Sequence, residues 1–261
     1  MAKSAIITGG ASGLGEACAR RLAHDGAHVW VLDADAARAE TVASSIESDG
    51  GSARWMETDV TDEAGLMDRA ARVAEESGAP DMLITSAGIL ETVSTVLDAD
   101  MEVHDRVWAV NYRGTVSTVR AFGRLMRAAG RGSIVTVGSI NSHVALPLPA
   151  YCPSKTAILR LTEMLAVELG RHGIRVNGIA PTYVVTPALQ ARIDAGERDP
   201  AVMRDAGALD MLVRPEHVAS VVAFLCSDDA EAVTGHMMPV DAAYLPATTY
   251  AAFAGGVPWK L

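Results

Sequence analysis

Cysteine is scarce in this chain, and the few residues present do not suggest pairs. Cys18, Cys152 and Cys226 are the only three in 261 residues. An odd, scattered set excludes a disulfide framework and has no metal-ligand spacing, so no metal is expected and reduced thiols in a cytoplasm are. Long apolar runs are also missing: no stretch nears the roughly 20 residues of a membrane span. The first glycine-rich run begins at Thr8, leaving no room for a signal peptide ahead of it. No membrane partner and a cytoplasmic location are therefore predicted. Positive charge is short, with 22 Lys and Arg against 32 Asp and Glu and a net charge of −10. With no basic cluster, nucleic acid is not expected as a partner. No internal repeat and no linker divide the chain. Its 49% apolar content suffices for the core of one domain over residues 1–261.

What is present is a regular alternation. Strands are predicted near residues 3–8, 28–33, 52–58, 81–85, 132–138, 174–180 and 237–241. Helices are predicted near 14–25, 35–48, 62–77, 100–129, 150–171 and 215–227. Such alternation calls for an α/β fold, a doubly wound parallel sheet of about seven strands with helices on both faces. Ligands of such sheets bind at the carboxyl ends of the strands. The stretch 187–214 is less regular, with Gly196, Pro200 and Gly207.

The first apolar run, Ser4-Ala5-Ile6-Ile7, leads into Thr8-Gly9-Gly10-Ala11-Ser12-Gly13-Leu14-Gly15 and then a helical pattern. Strand, glycine-rich turn and helix is the context in which free N–H groups and the helix dipole meet a pyrophosphate. A plain tight turn would use the same glycines. The second strand, His28 to Leu32, ends at Asp33. An acid there accepts hydrogen bonds from an adenosine ribose and repels a 2′-phosphate. No Lys or Arg adjoins Asp33 in sequence, and Ser12 occupies a turn position where a base would meet that phosphate. The expected cofactor is NAD, not NADP.

Further along, Tyr151 and Lys155 stand at i and i+4, with Ser139 upstream. That spacing puts the phenol and the ammonium on one helix face. A phenol ordinarily titrates near 10, and a neighbouring ammonium is expected to lower it. Chemistry that moves a proton on and off an alcohol oxygen needs such a group.

Together these residues resemble the short-chain dehydrogenase/reductase family in its roughly 250-residue, Rossmann-type form. T-G-x-x-x-G-x-G stands at Thr8 to Gly15, and Asp59-Val60 matches the adenine-side pair. Thr85-Ser86-Ala87-Gly88 stands in place of N-N-A-G, Asn111 matches the helix asparagine, and Ser139, Tyr151 and Lys155 match the catalytic triplet. Pro181 to Thr186 replaces P-G-x-V-x-T, and Val240-Asp241-Ala242-Ala243 replaces V-D-G-G. Both asparagines of N-N-A-G are absent, which weakens the ties expected between the central strands. Thr182 narrows the corner normally left open by glycine.

The resemblance implies alcohol–ketone interconversion by hydride transfer. Tyr151 would be the general acid/base, Lys155 would hold the nicotinamide ribose, Ser139 would bind the substrate oxygen, and Asn111 would fix a relay water. Cofactor contacts would come from Gly9, Ser12, Gly13, Leu14, Gly15, Asp33, Asp59, Val60, Ala87, Gly88, Tyr151, Lys155, Pro181, Val184 and Thr186. Substrate contacts are expected at Ser139, Asn141, His143, Tyr151 and Tyr183, beneath a lid at 187–214. Gln190 and Arg192 open that lid, and an arginine there suits an anionic substrate as well as a solvated helix face. This mixed set of side chains suggests a polar secondary alcohol: a polyol, sugar or hydroxy acid. The apolar tail at 245–261, with Tyr250, Phe253, Val257 and Trp259, is expected to pack on a neighbouring subunit or cover the cleft. The resemblance also implies a homotetramer built through the helices at 100–129 and 150–171. The alternatives are an NADPH-dependent ketoreductase of the same fold, which Asp33 opposes, and a non-catalytic dinucleotide-binding regulator. A regulator should show erosion at Ser139, Tyr151 or Lys155, and none is present.

Overall fold

The short apolar runs become strands covered on both faces. In the computed structural model, which describes residues 3–256, they are β1 (Ser4–Thr8), β2 (His28–Asp33), β3 (Ser52–Glu57), β4 (Met82–Thr85), β5 (Gly132–Val137), β6 (Ile174–Pro181) and β7 (Met237–Val240). All pairs are parallel, in the order β3-β2-β1-β4-β5-β6-β7. Side-chain alternation splits the core into two layers. Ala5, Ile7, Val29, Val31, Ile84 and Val135 face α1 (Gly13–His24), α2 (Ala36–Ser48) and α9 (Pro215–Cys226). Ile6, Trp30, Leu32, Leu83, Ile134 and Val176 face α3 (Glu63–Ser77), α5 (Gly114–Ala129) and α6 (Tyr151–Gly170). The doubly wound parallel sheet expected from the sequence is the observed one.

Two helical regions differ in detail from the sequence reading. The single helix expected over 100–129 is α4 (Met101–Trp108), a π-helical turn at Ala109–Arg113, and then α5. The wider turn carries Asn111, and Gly114 follows so close to Val60 that a Cβ there would lie 2.6 Å from the valine Cγ2. Periodicity alone does not reveal one inserted residue. The irregular lid contains two short helices, α7 (Pro187–Asp194) and α8 (Pro200–Asp205). Pro187 and Pro200 start these helices, because a missing N–H costs nothing in a first turn. Thr186 and Asp199 cap them.

The weakened tie at Thr85 is visible: its hydroxyl is buried with no partner among the described residues. The Val-Asp-Ala-Ala departure has a cost as well. Ala242 and Ala243 have φ of 51° and 63°, the only non-glycine positive values among the described residues. The Asp241 carboxylate holds this turn by accepting from the N–H groups of Ala243 (3.0 Å) and Leu245 (2.9 Å). It leads into α10 (Tyr244–Ala254), where the Tyr244 ring meets Tyr183 edge-on at 6.0 Å. The tail thus begins against the substrate loop. Farther along, Tyr250 and the 96%-exposed Phe253 are left uncovered, so within this chain the end of α10 does not close the cleft. Val257 and Trp259 lie outside the described residues.

A left-handed alanine costs roughly 1–2 kcal/mol relative to glycine, partly offset by glycine's greater freedom when unfolded. Ala243→Gly is therefore expected to stabilise the protein by up to about 1 kcal/mol, raising Tm by ~2–4 °C. Calorimetry showing an unchanged or lower Tm would contradict this account of the turn.

Candidate active site

The strand order reverses direction at β1, which lies between β2 and β4, and this switch point opens a crevice at the carboxyl ends. The resulting cleft has a volume of about 1060 Å³. Its lining includes Gly9, Ser12, Gly13 and Leu14 from the glycine turn, Asp33, Asp59 and Val60 from the ends of β2 and β3, and Ala87, Gly88, Tyr151, Lys155 and Thr186. Gly9 has φ +65°, and a Cβ there would sit 2.7 Å from Ala87 Cα. Gly15 does not line the cleft. A Cβ on it would be 2.0 Å from the Gly9 carbonyl oxygen, so glycine is required there for the close approach of helix to turn.

Helices α2, α3, α4, α7 and α8 each receive a side-chain cap, whereas Ser12 gives none to α1. Its first-turn N–H groups remain available beside a glycine cradle, which suits a dinucleotide pyrophosphate. The Asp33 carboxylate is held at the end of β2 by Ala11 N–H (3.0 Å) and Asp35 N–H (3.0 Å). The expectation that no base accompanies Asp33 needs correction. The first turn of α2 brings Arg38 into the same lining, where Asp35 pairs with it at 3.4 Å. Asp59 accepts from Thr61 through both its N–H and its hydroxyl, each at 2.8 Å.

Tyr151 opens α6, and Lys155 follows one turn later with its Nζ 5.5 Å from the tyrosine ring centroid. That ammonium is buried and donates to the Val137 carbonyl at 2.7 Å. Burial lowers the Lys155 pKa from 10.5 to about 8. The tyrosine shift is opposite to the expected one. Burial raises the Tyr151 pKa, and a hydrogen bond with Ser139 only partly opposes it. Desolvation dominates because the phenol sits where charge is poorly solvated.

Ser139 caps a 3-10 turn at Ile140–Ser142, and the Ser142 hydroxyl donates to the Lys155 carbonyl at 2.7 Å. Asn111 joins the constellation from the π-helical turn. Its Oδ1 accepts from Ile89 N–H (2.8 Å), and its Nδ2 donates to the Ile89 carbonyl (3.0 Å) and Ser154 Oγ (3.3 Å).

A second cavity of about 360 Å³ meets the first at Leu14, Leu90, Val137, Tyr151, Thr186 and Ala188. It gathers Ser139, Pro181, Tyr183 and Val184, together with Thr182, Leu189, Arg192 and Arg198. Pro181 and Val184, expected as cofactor contacts, line this cavity and not the larger cleft. Two expected substrate contacts fall outside both. Asn141 is buried with its Oδ1 unpartnered among the described residues, and His143 is exposed. The tight turn repeats every three residues, aligning Ser142 with Ser139 and carrying Asn141 and His143 elsewhere. Gln190 is also outside, its amide donating to Asp194. Another hollow, about 800 Å³ along edge strand β3, holds none of the expected site residues.

The sequence reading missed Glu91. Its carboxylate accepts from the N–H groups of Ala150 and Tyr151, each at 2.7 Å, and so caps the helix that carries the tyrosine. No motif signals it, because it comes from the loop after β4. Arg198 was missed because the lid has no periodicity.

Glu91→Ala is expected to destabilise the protein by about 1 kcal/mol and lower kcat about tenfold through a displaced Tyr151. Glu91→Gln keeps an acceptor oxygen and should restore most of kcat; equal losses in the two variants would contradict a capping role. Lys155 makes a second prediction. Its folded pKa is depressed, so between about pH 8 and 10.5 the native state binds fewer protons than the unfolded one, and stability gains from this residue as pH rises. Denaturant unfolding of cofactor-free protein should show wild type gaining on Lys155→Met across that window, and a constant difference would count against it.

A family model described as Enoyl-(Acyl carrier protein) reductase matches residues 9–244. Short-chain dehydrogenase reductase 3c of Arabidopsis thaliana is 36% identical over 244 residues, covering 93% of this chain and 94% of that protein. Cis-4-hydroxycyclohexanecarboxylate dehydrogenase of Sinomonas cyclohexanicum is 41% identical over 244 residues, covering 92% and 95%. A solved chain described as ribose-5-phosphate isomerase from Brucella melitensis 16M superposes with a TM-score of 0.91 at 38% identity, over 98% of this chain and 97% of that one. With the dinucleotide crevice running into Tyr151, Lys155 and Ser139, these matches place the chain in the short-chain dehydrogenase/reductase family, whose members bind a nicotinamide dinucleotide.

Proposed function

We propose that this protein is an NAD-dependent oxidoreductase that interconverts a polar secondary alcohol and its ketone. The alcohol–ketone chemistry follows from its family and its dehydrogenase relatives. The observation that carries the reading is the junction of the two cavities at Tyr151. There, a substrate oxygen can meet the phenol and Ser139 while its carbon faces the dinucleotide cleft. The dinucleotide supplies the hydride acceptor or donor when bound.

In oxidation Tyr151 takes the hydroxyl proton, and in reduction it returns one to the carbonyl oxygen. Ser139 donates to that oxygen. Lys155 holds the nicotinamide ribose and favours the phenolate. Asn111 has spare acceptor capacity beyond its bonds with Ile89 N–H and the Thr115 hydroxyl. A relay water between Lys155 and solvent needs that capacity.

NAD rests on Asp33, whose fixed carboxylate disfavours a 2′-phosphate, while Arg38 is engaged by Asp35. A homotetramer is supported by exposed apolar side chains on the two helical regions expected to form it: Met101 and Val103 on α4, Met164 and Val167 on α6. A cytoplasmic location is supported by three buried, unpaired cysteines. Burial pushes the Cys18 and Cys226 thiols up to about 12. An isomerase reading, after the Brucella chain, is less favoured because this cleft joins a dinucleotide cradle to a proton-transfer tyrosine.

The test follows the reduced-nicotinamide absorbance of purified protein with NAD or NADP and a panel of polyols, sugars, hydroxy acids and cyclic alcohols. The band is expected to grow with NAD and one substrate class. Tyr151→Phe should lower turnover by ~10²-fold or more while NADH binding persists. Activity of the variant within tenfold of wild type would sink the assignment, and preference for NADP would overturn the role of Asp33.

A further inference from the structure

The cavity at Tyr151 and Ser139 is charged with one sign only. Arg192 and Arg198 line it, and among the described residues no Asp or Glu does. The chain as a whole has a net charge of −10, and arginines such as Arg20 and Arg72 pair with acids on their own helices. Arg198 has no ion-pair or hydrogen-bond partner among the described residues. Arg192 uses its Nε for Glu197 at 3.0 Å, which leaves its terminal nitrogens without a partner among those residues. Gly196, at φ +74°, turns the lid between the two arginines. The rest of the lining includes the apolar side chains Leu14, Leu90, Val137, Val184 and Leu189.

We infer that the substrate is a hydroxy acid: a secondary alcohol on a compact apolar body whose carboxylate is bound by Arg198, assisted by Arg192. The inference rests on the alcohol–ketone reading and narrows it. A guanidinium presents paired donors that match a carboxylate. The apolar part of the lining accommodates a ring or branched chain, and the Thr182 hydroxyl, buried without a partner among the described residues, adds one neutral polar contact. At about 360 Å³ the cavity lies at the small end of ligand pockets. The hydroxyl would then meet Tyr151 and Ser139, and the carboxylate the arginines, within the one cavity.

The experiment compares hydroxycyclohexanecarboxylates, their methyl esters, cyclohexanol and a sugar phosphate as substrates of the full chain with each dinucleotide. The acids should have the highest kcat/KM, exceeding the esters about tenfold or more. Arg198→Ala should raise KM for the acids about tenfold with kcat nearly unchanged, the sign of a lost uniform binding contact. It should leave the esters unaffected, and Arg198→Lys should recover part of the loss. Equal use of acid and ester, preference for the sugar phosphate, or an Arg198→Ala effect shared by acid and ester would overturn the hydroxy-acid assignment. In those cases the dehydrogenase would stand. Absence of turnover with every alcohol and ketone would instead overturn the reading beneath it.

Discussion

A lysine ammonium buried against a backbone carbonyl is the constraint around which this active site is arranged. Lys155 Nζ donates to Val137 O at the carboxyl end of β5, which ties the catalytic helix to the sheet at one point. Leaving such a charge in a poorly solvated place is unfavourable, as its pKa of about 8 records. The bond to Val137 and the nearby tyrosine ring offset part of that cost. Because the ammonium cannot move without losing that carbonyl, Tyr151, one helical turn away, is constrained with it.

The surrounding polar groups brace the same two elements. Ser142 connects the Ser139 turn to the Lys155 carbonyl. Asn111 connects the loop after β4 to Ser154 on α6. Glu91 caps α6 at Ala150 and Tyr151 from that same loop. Three separate segments therefore hold one helix start. Preorganisation of this kind lets a proton-transfer group work without reorganising during the reaction. Burial raises the phenol's pKa in this arrangement, so what the surrounding groups supply to Tyr151 is position.

The segments beside the smaller cavity are built differently. The lid helices are short and start at prolines, the turn after Asp241 holds two alanines in a left-handed conformation, and Tyr244 reaches from the tail helix to Tyr183. The lid helix α7 and Tyr183 border the cavity beside Tyr151 and Ser139, and loops carried on a scaffold in this way are where specificity commonly resides.

The sequence by itself determined the sheet, the glycine cradle, Asp33 and the Ser139–Tyr151–Lys155 group. Each is encoded locally, as a run of apolar residues, a turn that only glycine fits, or a spacing on one helix. It did not determine which loop residues reach the substrate. Asn141 and His143 lie beside Ser139 in sequence yet outside the cavity, because a tight turn rotates them away. Arg38 follows Asp33 by only five residues, but its approach to the cleft depends on where the first turn of α2 begins, while Glu91 and Arg198 lie in unpatterned segments that reach the start of α6 and the smaller cavity. Only the tertiary structure decided these placements, because they depend on how loops from different strand ends converge. It also reversed the expected tyrosine shift, since desolvation depends on the packing around a group and not on its neighbours in the chain.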